Sequence, residues 1–327
     1  MIKIEPSRIF DFLSIQVEKY PLENCLNDKL GGIWKSLSTK KYFESVNQVS
    51  SALVAMGVKS QDKIALISTN NRSEWSILDM AILQTGAITV PLYPNISPKD
   101  YKYILNHSES QFCFVSDQQI YDKVSSVKSE VEGMKEIYSF DEIEGCKNWS
   151  ELLQIGKKAK NEEKLNQIKS NVTADDLATI IYTSGTTGIP KGVMLSHGNI
   201  VSNVISATTR FPFEDRNQRA LSFLPLCHIF ERTFIYGYLH NSIEVYFAES
   251  LDTISDNLKE VKPNFMTAVP RLLEKVYDKI YAKGNDLKGI KKSLFFWAVA
   301  IGLKYEPYNK AGWTYSIKHS IAKKLIL

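Results

Sequence analysis

Between Ile181 and His197 the chain runs Ile-Tyr-Thr-Ser-Gly-Thr-Thr-Gly-Ile-Pro-Lys-Gly-Val-Met-Leu-Ser-His. Gly185, Gly188 and Gly192 tolerate positive φ angles, which let successive backbone N–H groups converge on one anion. The hydroxyls of Thr183, Ser184, Thr186 and Thr187 add donors, and Lys191 adds a mobile positive charge. Such a loop suits polyphosphate oxygens. A strand-like run, Ala178 to Tyr182, enters it, and a second apolar run, Gly192 to Leu195, leaves it. That exit distinguishes the segment from the Walker A pattern G-x-x-x-x-G-K-[ST], which leads into a helix. Here Lys191 follows Pro190 and precedes Gly192. A P-loop kinase or ATPase is disfavoured on that ground. A purely structural hairpin has no need of six small or hydroxyl residues in succession before Pro-Lys-Gly.

The stretch Tyr182-Thr-Ser-Gly-Thr-Thr-Gly-x-Pro-Lys-Gly192 resembles the phosphate loop of the adenylate-forming superfamily, which includes acyl-CoA synthetases, luciferases and peptide-synthetase adenylation domains. Three further segments resemble the long-chain fatty acid–CoA ligase branch. They are Leu221-Ser-Phe-Leu-Pro-Leu-Cys-His-Ile-Phe-Glu-Arg232, Ala268-Val-Pro-Arg-Leu-Leu-Glu-Lys-Val276, and Asn70-Asn-Arg-Ser-Glu-Trp75 with Gly86-Ala-Ile-Thr-Val-Pro-Leu-Tyr-Pro94. The likeness covers roughly residues 35 to 327.

The resemblance implies that Thr183, Ser184, Gly185, Thr186, Thr187, Gly188 and Lys191 hold the β- and γ-phosphates of ATP while a fatty acid carboxylate attacks the α-phosphate. Lys191 then assists catalysis, and Mg2+ is shared between Thr183 and a glutamate further along. CoA takes the acyl group in a second step. His228, by the same resemblance, lies beside the acyl and adenylate pocket and shapes or gates it. His197 and the pair Glu231-Arg232 are expected to be structural, the pair as a local ion pair or a contact. A ligase for a shorter acid and a non-catalytic nucleotide-binding chain are the alternatives.

These residues need elements to position them. Lys63 to Thr69, Ile88 to Leu92, Phe112 to Ser116, Glu136 to Phe140, Ile243 to Phe247 and Asn264 to Val269 are short apolar, β-branched runs that read as strands. Between them lie helical patterns. One is capped by Ser73, with Trp75, Leu78 and Ile82 on one face; another opens at Ser97-Pro98-x-Asp100 with a capping box. Strands alternating with helices predict an α/β fold with parallel-rich sheets covered on both faces. By resemblance this is the N-terminal part of the large domain of an adenylate-forming enzyme. Asn148 to Asn171 reads as a polar helix and connector, which divides the chain into sub-domains at 1–170 and 171–327.

The remaining composition mainly excludes. Forty Lys and Arg against 36 acidic residues leave +4 on 327 residues, too little for a nucleic-acid partner. Four scattered cysteines and five dispersed histidines make no zinc spacing and no disulfide framework, as expected of a reduced cytoplasmic protein. The apolar run Leu294 to Leu303 is about half of what a bilayer span needs. It is expected to be a core helix, with peripheral membrane contact as the alternative. The amphipathic pattern from Tyr315 to Leu327 stops without a cap, from which truncation before a C-terminal domain, loss of turnover and self-association as a homo-oligomer are expected.

Overall fold

The computed structural model describes residues 5–159, 161–183, 188–210, 218–306 and 312–325. Backbone contacts divide the chain into two units, Met1–Thr267 and Ala268–Leu327.

The first unit opens with α1 (Asp11–Lys19), the hairpin β1 (Leu26–Leu30) and β2 (Ile33–Leu37), and α2 (Thr39–Ala55). Strands and helices then alternate: β3 (Lys63–Ile67), α3 (Ser73–Gln84), β4 (Ile88–Leu92), α4 (Pro98–His107), β5 (Ser110–Val115), α5 (Gln118–Ser125), β6 (Glu136–Ser139) and β7 (Lys147–Asn148). Two helices follow, α6 (Ser150–Ala159) and α7 (Glu162–Asn171), where the sequence suggested one helix and a connector. The remainder comprises β8 (Leu177–Thr183), β9 (Lys191–Ser196), α8 (His197–Thr208), β10 (Arg219–Ser222), α9 (Ile229–His240), β11 (Glu244–Phe247), α10 (Ile254–Val261) and β12 (Phe265–Met266).

Among the described residues these strands form two sheets, ordered β12-β10-β11-β1-β2 and β7-β6-β5-β3-β4-β8-β9. Only β1–β2 and β8–β9 pair antiparallel; all other pairings are parallel. This is the expected parallel-rich α/β architecture. Each β4 residue is buried, as its unbroken run Ile-Thr-Val-Pro-Leu implies for a strand covered on both faces. The sheets do not divide at residue 170. β8 and β9 complete the sheet begun by β3, and β1 and β2 join the sheet of β10 to β12.

Two core clusters support the sheets. One gathers Phe10, Leu13, Tyr42, Leu53, Trp75 and Leu78 with Tyr236 and Leu239 of α9. The other packs Ala65, Val90 and Val115 against Tyr101 and Leu105 of α4 and Ile120 of α5. Burying each Leu, Val or Phe side chain contributes about 1.5–3 kcal/mol.

The capping box at α4 is present, with Ser97 accepting from the Asp100 amide and Asp100 reaching back to Ser97. Ser73 behaves differently from expectation. It is the first helical residue of α3, and its amide donates to Asp28 Oδ1 of β1 at 3.0 Å, so the cap comes from a neighbouring strand. The predicted strand at Asn264 to Val269 shortens to β12, since Pro270 already begins the next helix.

The second unit holds α11 (Pro270–Asp286), α12 (Gly289–Gly302) and α13 (Trp313–Leu325). Gly284 sits against Phe295, whose ring would lie 2.1 Å from an added Cβ. Ala298, Ile301 and Ala322 pack with Tyr315. The run Leu294 to Ile301 is helical, but within it only Ala298 and Ile301 are buried and Trp297 is 36% exposed. Among the described residues, no helix is long and apolar enough to cross a membrane.

Candidate functional site

The phosphate-loop candidate is the turn of the β8–β9 hairpin. The strand exit expected after Lys191 is present: β9 runs antiparallel to β8, with Thr183 opposite Lys191 and Tyr182 opposite Gly192. Ser184, Gly185, Thr186 and Thr187 lie outside the described residues. Thr183 and Lys191 are exposed at the neck of the hairpin, and Gly188 has φ +79°, a conformation that favours glycine. Gly192 is needed for a different reason. A Cβ there would lie 2.7 Å from Ile180 Cγ2 and 3.3 Å from Tyr182 Cζ. Tyr182 is itself held, its hydroxyl 2.7 Å from His107 Nδ1, and burial raises its pKa to about 12.

From the far end of β9 the chain enters α8 through a second capping box, in which Ser196 accepts from the Asn199 amide and Asn199 accepts from the Ser196 amide. His197, the first residue of α8, is buried. Its Nδ1 accepts from the Ile9 amide at 3.2 Å, Phe10 meets its ring edge-on, and burial lowers its pKa to about 4. Such a neutral, packed imidazole fits the structural role expected for it.

Between α8 and α9 lies a cavity of about 650 Å³. Its wall is largely apolar, with Ile200, Val204 and Ala207 on α8 and Phe234, Gly237 and Tyr238 on α9. Leu195 of β9 and His228 also line it. His228 caps α9, its Nδ1 accepting from the Phe230 amide at 3.2 Å. Gly237 brings α9 close to α8, since an added Cβ would stand 3.2 Å from Thr208 Cγ2. Leu195 and Lys191 share one strand, four residues and about 13 Å apart. The hairpin therefore connects the loop to the cavity wall.

The segment before α9 is anchored by Asn71. Its Nδ2 donates to Ser222 Oγ at 2.9 Å and to the Leu224 carbonyl at 2.7 Å, and its Oδ1 accepts from the Leu226 amide at 3.3 Å. Glu231 and Arg232 are structural, as expected, but they take different partners. Glu231 accepts from Ser222 Oγ at 2.6 Å and from Thr267 Oγ1, and burial raises its pKa to about 7 despite both hydroxyls. Arg232 forms an ion pair with Asp79 of α3 and donates to Thr179 Oγ1 of β8 at 2.8 Å. Sequence reasoning placed Asn71 in a motif without giving it a role, and it missed Asp79 and Thr179. Asp79 did leave a signal, being the one charged residue within the apolar run Ile77 to Leu83.

The described residues contain no cluster of three His, Cys, Asp or Glu side chains arranged for a metal ion. All four cysteines are free.

The fold is that of fatty acid–CoA ligases. The structure superimposes on a long-chain-fatty-acid-CoA ligase, FadD1, from Archaeoglobus fulgidus with a TM-score of 0.71 at 21% identity, over 85% of this chain and 55% of that one. It superimposes on the N-terminal domain of FACL13 from Mycobacterium tuberculosis with a TM-score of 0.69 at 19% identity, over 82% and 64% of the two chains. A family model described as AMP-binding enzyme matches residues 13–305. The chain belongs to that family. Among curated relatives, human long-chain-fatty-acid–CoA ligase ACSBG2 is 28% identical over 98% of this chain and 49% of that protein. Long-chain-fatty-acid–CoA ligase FadD15 of Mycobacterium tuberculosis is 30% identical over 76% of this chain and 41% of its own length. The chain thus spans about half the length of the curated relatives it matches.

Proposed function

We propose that this chain supplies the phosphate loop and the acyl cavity of an ATP-dependent long-chain fatty acid–CoA ligase. The observation that carries this proposal is the apolar cavity between α8 and α9, joined through β9 to a loop neck formed by Thr183 and Lys191. Its volume lies within the roughly 300–1,000 Å³ typical of small-molecule sites.

In the first step a carboxylate oxygen of the fatty acid attacks the α-phosphorus of ATP. The bond to the β-phosphate oxygen breaks, giving acyl-AMP and pyrophosphate. In the second, the CoA sulfur attacks the acyl carbon, the bond to AMP breaks, and the thiol proton is lost to solvent. Carboxylate and triphosphate repel each other, so the first step depends on positioning and on neutralising charge rather than on a nucleophilic side chain. Lys191 and the loop amides and hydroxyls supply that neutralisation. The donor set suits Mg2+ as far as it goes: Thr183 offers one hard oxygen ligand, and the ion would take its others from phosphate, water and a further carboxylate. Bound there, Mg2+ would spread the charge of the leaving pyrophosphate. His228, at the cavity lip, orients the carboxylate end of the acyl chain. The relatives are about twice the matched length, so the full two-step turnover is proposed for the activity to which this chain contributes.

A homologous series of fatty acids displacing a fluorescent fatty acid from the 327-residue chain tests the acyl assignment. Each added buried methylene contributes about 0.8 kcal/mol, so affinity should climb several-fold per carbon up to long chains. An optimum at acetate or propionate would favour a shorter acid, and no displacement at any length would favour a nucleotide-binding role alone.

Residues 268–327 hold twelve Lys and Arg against four Asp and Glu, and α11 and α13 expose apolar and aromatic side chains. This composition supports peripheral contact with an anionic bilayer, from which long-chain acids could be drawn.

A further inference from the structure

The β8–β9 hairpin enters its sheet through β4, and the β4–β8 pairing has one registered pair, Thr89 opposite Thr179. By contrast, β3 and β4 are in register along all of β4, from Lys63 opposite Ile88 to Ile67 opposite Leu92. The side chains at that junction are buried and hydrogen-bonded. Thr179 Oγ1 donates to the Thr89 carbonyl at 2.7 Å, and Thr89 Oγ1 donates to Asp79 Oδ1 at 2.9 Å. Arg232 donates through Nη1 to Thr179 Oγ1 at 2.8 Å, and through Nε to Asp79 Oδ2 at 3.2 Å and to the Tyr236 hydroxyl at 2.6 Å. Its Nη2 closes the ion pair on Asp79, and the Tyr236 hydroxyl donates to the same carboxylate. Arg232 is 0% exposed and Asp79 1%.

A buried ion pair is a weak way to gain stability, because both charges lose their water and an apolar pair of similar volume often serves as well. It is a strong way to fix geometry, because the guanidinium fork has rigid donor directions. Here that fork reaches α3 and β8 from α9, and the Arg232 amide donates to the His228 carbonyl one turn back, at the cavity lip.

We propose that Arg232 and Asp79 are a positioning pair. They fasten the root of the β8–β9 hairpin to α9, so that the loop and the cavity wall keep a set relation and respond to each other's occupancy. The inference rests on reading that loop as the phosphate site. The fastening itself can be tested without any ligand.

Hydrogen exchange by mass spectrometry on the full chain reads it directly. Thr179→Val removes one hydroxyl, Asp79→Asn removes the ion pair, and Arg232→Lys keeps the charge but loses the fork. In each variant, exchange in residues 177–183 and 191–196 should rise about tenfold or more, as expected for losing a buried charged hydrogen bond, while β3, β5 and β6 keep wild-type rates. Palmitate should slow exchange across both α8–α9 and β8–β9 in the wild type. In Thr179→Val it should slow exchange only across α8–α9. Wild-type exchange in the hairpin of Thr179→Val would overturn the proposal, as would a uniform rise across the whole sheet. If Asp79→Asn does not fold, Thr179→Val alone decides. If palmitate does not bind, the acyl assignment fails, and the ligand-free comparison still judges the pair.

Discussion

Thr183 ends β8 directly opposite Lys191, which begins β9, so the two residues expected to meet phosphate charge face each other across the neck of one hairpin. That register depends on the next pair inward, Tyr182 opposite Gly192, where glycine leaves room for Ile180 and the Tyr182 ring. Gly192→Val places branched carbon into that space. Overpacking of this kind costs about 1–3 kcal/mol, so thermal denaturation should show a lowered midpoint. An unchanged midpoint would mean that the neck tolerates side chains and that its register is set elsewhere.

The pH dependence of stability should carry opposing contributions, among them those of His197 and Glu231. His197 has its folded pKa lowered from 6.5 to about 4, so it contributes stability that is present above pH 6.5 and is lost as pH falls towards 4. Glu231 has its folded pKa raised from 4.5 to about 7, so its contribution is present below pH 4.5 and is lost as pH rises through 7. Between those limits the two slopes oppose each other. Removing the titration with Glu231→Gln should therefore make the melting temperature fall more steeply on acidification from pH 7 to pH 4.5 than it does in the wild type. Parallel curves for the two proteins would show that Glu231 does not titrate there.

The helices of residues 268–327 make a prediction about surfaces. On α11, Leu273, Val276, Tyr277, Ile280 and Tyr281 recur at helical spacing and are 42–61% exposed, flanked by exposed Arg271, Lys275, Lys279 and Lys283. Co-sedimentation should show binding to vesicles containing phosphatidylserine and release in high salt, where the screening length falls to about 3 Å at 1 M. Equal binding to neutral phosphatidylcholine vesicles, or no binding to anionic ones, would contradict the membrane proposal.

How much of this was legible in the sequence depends on the range of the interaction. The hairpin strands, the Ser97 capping box and the parallel-rich alternation follow from local periodicity and turn chemistry, and they appear within a residue or two of expectation. Ser73 was misplaced because its helix is capped from a distance, by Asp28. The sub-domain division at residue 170 could not show that β1 and β2 cross to the sheet of β10 to β12, since pairing such as Leu26 with Val245 leaves no local pattern. In the site, Lys191, Thr183 and His228 were singled out by type and by resemblance, and their roles are proposals. Asn71, Asp79 and Thr179 act through partners far away in sequence, and only the isolated charge of Asp79 within an apolar helix hinted at one.

Paired titrations of the 327-residue chain test most directly whether one loop takes the nucleotide phosphates while the adjoining cavity takes the acyl chain. Dissociation constants for Mg·ATP and for palmitate should be measured in the wild type, in Lys191→Ala and in Gly237→Leu, with melting curves to confirm folding. Losing one charged hydrogen bond costs about 1.5–3 kcal/mol, so Lys191→Ala should weaken Mg·ATP roughly tenfold or more and leave palmitate unchanged. Gly237→Leu, which fills the cavity between α8 and α9, should abolish palmitate binding and change Mg·ATP affinity far less. Nucleotide binding indifferent to Lys191, or palmitate binding indifferent to Gly237 in folded protein, would contradict the assignment of loop and cavity.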